Sequence, residues 1–239
     1  MNISKAFGYV FEDINWVVKI AIYAGLSFFS FFLLPIPILL GYNIAITRNV
    51  KDGMKDPLPE WNDFGKMFMD GLNVWVAQLV YTLPFLLIVC IATVATFGLG
   101  GLGGAIGSEE AMAASALGIW GVWGLMGCLT LLLIAAAIFI MPALIIQYVR
   151  YDSLGACFRF GEVLGIARDN IGDIFITLAA AMGAIFVLVF ILFALSLIPC
   201  IGTVIGWFIS ILVGPYVGMA VSHMYGQIAS KSQKLAGYV

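Results

Sequence analysis

The chain has 239 residues, of which 63% are apolar and only 10% are charged. Its formal net charge of -2 provides no basic surface for a phosphate backbone, so we expect no nucleic acid partner. The longest apolar stretches match the thickness of a bilayer, which excludes an ordinary water-soluble domain and indicates an integral membrane protein.

The N-terminal segment predicts a short amphipathic helix. Phe7, Val10 and Phe11 recur at helical spacing, with charged residues on the other face, and an apolar stretch follows directly. No basic leader with a small-residue cleavage site is evident, so we expect no removable signal peptide.

Residues 18–48 allow two arrangements, a single kinked span or a hairpin that turns back at Pro35 and Pro37. The hairpin would place all eleven basic residues of the chain on one side, which the positive-inside rule favours. Its arms would reach only about 24 and 18 Å, so such a hairpin would be short or re-entrant. In both arrangements the basic loops and the C-terminus are expected to be cytoplasmic.

Four later stretches, 73–99, 115–149, 171–198 and 202–229, each supply the roughly 20 apolar residues of a membrane span. Two of them follow further amphipathic patterns, one built on Trp61, Phe64, Phe68 and Leu72 and one on Phe160, Val163, Leu164 and Ala167. The glycine-rich tract at 98–107 predicts a flexible hairpin tip. It is not typical of a phosphate-binding loop, because no strand precedes it and no Lys-Ser/Thr pair follows.

These elements predict an all-α fold, a polytopic transmembrane helical bundle with interfacial amphipathic helices, forming a single transmembrane domain over residues 1–239. The recurrence of an amphipathic helix before a hairpin favours three repeat units, 1–50, 51–150 and 151–239. The expected hairpin tips are Leu34–Pro37, the glycine-rich tract and Pro199–Gly202. The run Leu34-Pro35-Ile36-Pro37 is similar to Ile198-Pro199-Cys200-Ile201.

Regularly spaced glycines mark the faces where helices would pack. Small residues let membrane helices approach closely. We expect these faces to serve structural packing, with contact to another subunit as the alternative. The candidate helix-packing or interaction residues are Gly118, Gly121, Gly124, Gly127, Gly202, Gly206, Gly214 and Gly218.

Few side chains suggest chemistry. His223, the only histidine, could line a cavity with Gln78 and Tyr81, or could serve structure alone. The four cysteines stand singly without a CxxC pair, so neither a metal site nor a redox motif is expected. No Asp or Glu lies deep in a predicted span, which disfavours ion-coupled transport. We therefore expect no catalytic residue, no cofactor and no metal.

Several motifs resemble a known family. They are Gly41 through Arg48, Leu58-Pro59-Glu60-Trp61-Asn62-Asp63-Phe64, Asp70-Gly71-Leu72, Tyr81 through Pro84, Pro142 through Arg150, and Phe158 through Glu162. Together they resemble a family of bacterial and archaeal multi-pass membrane proteins known only as a domain of unknown function. The resemblance implies a membrane protein without an assigned activity, and no catalytic residue can be transferred from it.

The expected function is therefore that of a non-enzymatic accessory or scaffold subunit in the cytoplasmic membrane of a prokaryote. The expected partners are membrane lipids and other membrane protein subunits or further copies of this chain. Two alternatives remain open. One is a facilitator or transporter of an apolar or neutral substrate, and the other is a membrane-shaping protein that uses the short hairpin.

Overall fold

The computed structural model describes residues 1–198 and 201–236, with side chains as far as Ser232. This part of the chain contains helices and no strand. The helices are α1 (Ile3–Gly8), α2 (Trp16–Phe28), α3 (Pro35–Lys51), α4 (Phe64–Ile106), α5 (Glu109–Tyr151), α6 (Leu154–Cys157), α7 (Phe160–Asp169), α8 (Ile171–Ser196) and α9 (Ile201–Ala236), with 3₁₀ turns at Tyr9–Glu12 and Phe29–Phe32. Pro199 and Cys200, at the expected tip of the last hairpin, lie outside the described residues.

Four helices are long and apolar enough to cross a membrane, namely α4, α5, α8 and the Ile201–Ser232 part of α9. The four predicted spans are thereby confirmed as apolar helices. Helices α4 and α5 have 43 residues each, which corresponds to about 64 Å at 1.5 Å per residue. This is roughly twice the 30 Å thickness of a hydrocarbon core.

The segment over residues 18–48 is a hairpin, not a single kinked span. The Tyr23 and Tyr42 rings lie 5.7 Å apart, and Asn43 Nδ2 donates a hydrogen bond of 2.8 Å to the Tyr23 hydroxyl. In one continuous helix these two tyrosines would be about 28 Å apart. The chain reverses at Leu33, whose φ of 62° lies in the left-handed region.

Of the three predicted amphipathic helices, two are separate helical segments and one is not. The first, Ile3–Glu12, is bent by 101° from the Trp16–Phe32 segment that follows it, and the third corresponds to α7, which ends at Asp169 before α8 begins. The second does not exist as a separate helix, because α4 begins at Phe64 and continues without a break through Asn73. Nothing between these residues interrupts the helical pattern, so the amphipathic turns propagate into the span.

The glycine-rich tract is helical, so the expectation of a flexible tip over residues 98–107 is wrong. Helix α4 continues to Ile106, and the reversal needs only Gly107, with a φ of 71°, and Ser108, whose hydroxyl accepts from the Ala111 N–H at 3.2 Å. The helical backbone satisfies its own hydrogen bonds, a requirement that outweighs the poor helix propensity of glycine where water is scarce.

The chain divides into two compact units. The first consists of Met1–Ala77 and Ile140–Val239, and the second of Gln78–Phe139. This division follows the packing of the helices and differs from the repeat units 1–50, 51–150 and 151–239, which remain a prediction.

Within the first unit, helix α3 makes backbone-close contacts with α4 and α9. A Cβ atom added at Gly41 would lie 1.8 Å from the Met67 carbonyl oxygen, and one added at Gly71 would lie 1.7 Å from that of Pro37. On the other helix pair, a Cβ at Gly226 would lie 2.7 Å from the Thr47 carbonyl oxygen. Only glycine fits at these three crossings.

Helix α1 is bound along α9 by polar contacts. The Tyr9 hydroxyl donates to the Met219 carbonyl at 3.1 Å, and the Tyr216 hydroxyl donates to the Phe7 carbonyl at 2.6 Å. The side chain of Asn2 caps the helix by accepting from the Lys5 N–H at 2.9 Å. These bonds hold the N-terminal segment as part of the packed unit.

We expect Gly71→Ala to lower the stability of the protein. The added methyl group would collide with the backbone of α3, and overpacking of this kind costs about 1–3 kcal/mol. Thermal unfolding followed by circular dichroism in detergent measures the effect. The control is Gly25→Ala, since nothing lies within 4 Å of an added Cβ at that helical position. Equal unfolding temperatures for the two variants would contradict the close crossing of α3 and α4.

Candidate functional site

The polar centre of the first unit is an arginine held between two carboxylates. Arg48, near the end of α3, lies 3.0 Å from Asp70 on α4 through Nη1, and its Nε donates to Asp152 after α5 at 3.1 Å. The Tyr148 hydroxyl donates to the other Asp70 oxygen at 2.8 Å and accepts from Asn73 Nδ2 at 3.2 Å. Three helices therefore meet in one hydrogen-bonded network.

The side chains of Arg48 and Asp70 are only 14% and 15% exposed. A buried carboxylate without its cation is strongly unfavourable, so each member of the pair depends on the other. The hydrogen bonds and ion pairs of this network join α3, α4 and the end of α5.

A second charged cluster surrounds Lys19, which is almost fully buried. Its Nζ lies 2.7 Å from carboxylate oxygens of both Asp13 and Glu60 and donates to the Leu58 carbonyl at 3.1 Å. Trp61 Nε1 donates to the Lys19 carbonyl at 3.2 Å. Lys19 thus connects α2 to the irregular segment before α4.

A cleft of about 410 Å³ lies among the C-terminal ends of α5 and α9 and helix α7. Gln147 lines it and is fully buried; its Nε2 donates to Glu162 at 2.6 Å, while its Oε1 has no hydrogen-bond partner among the described residues. The charges that line the cleft have both signs, from Arg150 and Lys231 to Glu162 and Asp169. Lys231 also pairs with Asp173 at 2.7 Å.

His223 is buried on α9 of the first unit. Its ring packs against that of Tyr9 with the centroids 4.5 Å apart and the planes tilted by 33°, and its Nδ1 lies 3.0 Å from Gln227 Nε2. Gln78 and Tyr81, which the sequence analysis grouped with it, are partly buried residues of α4 in the second unit. Transport of a neutral substrate past these three residues remains a prediction.

The candidate glycines fall into two groups. Four have a neighbouring atom within 4 Å of an added Cβ. That atom is the Leu195 carbonyl oxygen at 1.8 Å for Gly202, Leu192 Cδ2 at 3.3 Å for Gly206, Leu99 Cδ1 at 3.2 Å for Gly118, and Asn43 Nδ2 at 3.9 Å for Gly218. The others, Gly121, Gly124, Gly127 and Gly214, have no heavy atom within 4 Å of an added Cβ. The second group therefore faces open space around the helices.

Groups that could do chemistry are dispersed through the described part of the chain. No cluster of three His, Cys, Asp or Glu residues able to hold a metal ion occurs there. Burial raises the pKa of the Cys157 thiol to about 11, against a weaker opposing effect of a backbone hydrogen bond, so this side chain stays protonated at neutral pH.

Sequence reasoning did not identify the network around Arg48 or the unpaired oxygen of Gln147. The sequence offered one indication of this network, which was the position of its members. Near the ends of the apolar helices stand the polar residues Arg48, Asp70 and Tyr148. Nothing in the sequence shows that these three helix ends meet, because the contacts join residues 22 to 104 positions apart.

We expect Arg48→Met to destabilise the protein by about 3 kcal/mol, because it leaves the largely buried Asp70 carboxylate without its cation. The double variant Arg48→Met/Asp70→Asn removes that charge as well and should recover part of the loss. Chemical unfolding of both variants and of Asp70→Asn alone gives the coupling energy. Strict additivity of the two substitutions would contradict the ion pair.

Comparisons with known proteins give a family and no activity. No curated protein and no solved structure is similar enough to this chain to be matched. A family model described as "Protein of unknown function (DUF4013)" matches residues 26–197, from the last turn of α2 to just past the end of α8. With most of its length covered by that model, the chain belongs to the DUF4013 family.

Proposed function

We propose that this protein is a non-enzymatic, multi-pass accessory or scaffold subunit of a prokaryotic cytoplasmic membrane, and that it binds a transmembrane helix of another membrane protein subunit. The observation that carries the proposal is the open row of Gly121, Gly124 and Gly127 on α5, none of which has a neighbour within 4 Å of an added Cβ.

Other glycines of this chain support that interpretation. A glycine in a helix costs about 1 kcal/mol relative to alanine. At Gly41, Gly71 and Gly202 the cost is offset by contact with the backbone of a second helix at 1.7–1.8 Å from an added Cβ. The row on α5 carries the same cost without such a contact within the chain, which favours a helix from another subunit as its occupant.

Two tryptophans run beside the glycine row. Trp123 is held in place by a hydrogen bond of 2.8 Å from its Nε1 to Thr96 Oγ1, and Trp120 is 77% exposed. The two large rings form a ridge, and the glycines beside them leave a groove. A second helix packs against such a surface by placing its own side chains in the groove. Aromatic side chains also dominate the energetics of protein interfaces.

The charge distribution supports an orientation. No Lys or Arg occurs in residues 78–139, where Glu109 and Glu110 are the only charged residues. The eleven basic residues belong to the rest of the chain, and the positive-inside rule assigns such loops to the cytoplasm. We therefore propose that the α4–α5 turn lies on the opposite side.

We expect Gly124→Leu to release the partner subunit. Its isobutyl group would fill the groove and hold a packing helix away from α5. Mild extraction from native membranes and intact mass measurement should show a stoichiometric complex for the wild type and a lone protomer for the variant.

The matched control is Gly183→Leu, which places the same side chain at an open glycine of α8. It should leave the complex intact. A wild-type protein that is extracted without a protein partner would contradict the proposal.

A second candidate function is membrane shaping, which the N-terminal hairpin favours. Helices α2 and α3 have 13 and 17 residues, or about 20 and 26 Å, and so fall short of a 30 Å hydrocarbon core. Phe31, Phe32 and Leu34 at the turn are 88%, 67% and 70% exposed. Such a wedge would enter one leaflet more than the other.

We expect liposomes reconstituted with the wild type to become smaller or tubular, and Phe31→Ser/Phe32→Ser to abolish the effect because the tip would no longer insert. Electron cryomicroscopy of the vesicles measures their diameter. Phe186→Ser/Phe190→Ser on α8 is the control, since it removes two other largely exposed rings, which are 72% and 65% exposed. Vesicles that keep their diameter with the wild-type protein would refute this second function.

A further inference from the structure

We propose that a cleft between α1, the end of α3 and the C-terminal half of α9 binds a phosphate group. The cleft has a volume of about 300 Å³ and belongs entirely to the first unit. Its polar lining residues are Asn2, Lys5, Lys55, His223, Gln227 and Ser230.

The charge of this cleft has one sign. Lys5 and Lys55 line it, and no carboxylate is among its lining residues. Within the described part of the chain neither lysine forms an ion pair, in contrast to Lys19, Arg48 and Lys231, which all do. The cleft therefore holds two exposed lysines that have no carboxylate partner among the described residues.

The orientation of the Gln227 amide follows from its contacts with Asn2. The Asn2 backbone N–H donates to Gln227 Oε1 at 2.7 Å, and Gln227 Nε2 donates to the Asn2 carbonyl at 3.0 Å. Reversing the amide would place a donor against a donor and an acceptor against an acceptor. The two backbone bonds thus fix which atom is nitrogen.

This orientation determines the tautomer of His223. Because Gln227 Nε2 can only donate, the His223 Nδ1 atom 3.0 Å away must accept, and the proton of the neutral ring lies on Nε2. That N–H has no hydrogen-bond partner among the described residues, and His223, which is 3% exposed, lines the cleft. Contact with the Tyr9 ring holds the imidazole in place.

The combination suits a phosphate group. Two lysine ammonium groups match the charge of a phosphate, and the His223 N–H and the Ser230 hydroxyl can reach its remaining oxygens. Helix α9 is a candidate membrane span that continues past this level, so the phosphate could belong to a lipid headgroup or to a soluble anion. Both sources offer the same recognition chemistry.

The experiment uses the full-length protein in two arms. In one arm, calorimetry in detergent measures the binding of inorganic phosphate. In the other, native mass spectrometry counts lipids retained after reconstitution into phosphatidylcholine discs with or without phosphatidic acid. Binding in either arm supports the site, and the arm that shows it identifies the source.

Three variants test the assignment of residues. Lys5→Gln/Lys55→Gln and His223→Phe should each weaken binding about tenfold or more, since each removes a charge-assisted contact. Phenylalanine keeps a ring against Tyr9, and thermal unfolding verifies that this variant folds. Lys66→Gln, which removes an exposed lysine outside the cleft, should bind like the wild type.

Absence of binding in both arms would overturn the proposal. So would undiminished binding by the double lysine variant. The site is independent of the scaffold function, because a wild-type protein extracted without a partner subunit could still bind phosphate here.

Discussion

The first unit depends on the close approach of α3 to two other helices. Gly41 and Gly71 allow α3 to touch the backbone of α4, and Gly226 allows α9 to touch the backbone of α3 at Thr47. Such crossings maximise the dispersion contacts between helices. A closely packed helix provides more of these contacts than lipid does. They also set the distances at which polar side chains of α3 can reach their partners.

The hydrogen bonds of α3 follow from these crossings. The Thr47 hydroxyl lies 2.9 Å from the Asn43 carbonyl oxygen of its own helix and 3.1 Å from the Ser222 carbonyl oxygen on α9, and the Tyr42 hydroxyl donates to the Pro59 carbonyl at 3.2 Å. Arg48, the residue after Thr47, reaches Asp70 on α4. Backbone contact and polar contact thus support each other, since a looser crossing would leave buried polar groups unpaired.

The basic side chains of the first unit have two kinds of surroundings. Around Lys19 and Arg48 every cation has carboxylate partners, and the result is a rigid junction of helix ends. In the cleft beside His223 two lysines lack such partners within the described residues. A protein that neutralises its buried charges at two junctions and leaves a third group of cations exposed retains electrostatic attraction for an outside anion.

The sequence alone predicted the apolar spans, the helical class and the family resemblance, because span length and helical periodicity are local properties that a bilayer makes strict. It also favoured a turn near Pro35 through the distribution of charge. The structure decided that residues 18–48 form a hairpin, that the amphipathic turns before Asn73 belong to α4, and that the glycine tract is helical. It alone brought Arg48 to Asp70 and Asn2 to Gln227, because contacts between distant residues depend on how helices cross, and local sequence patterns carry no record of those crossings.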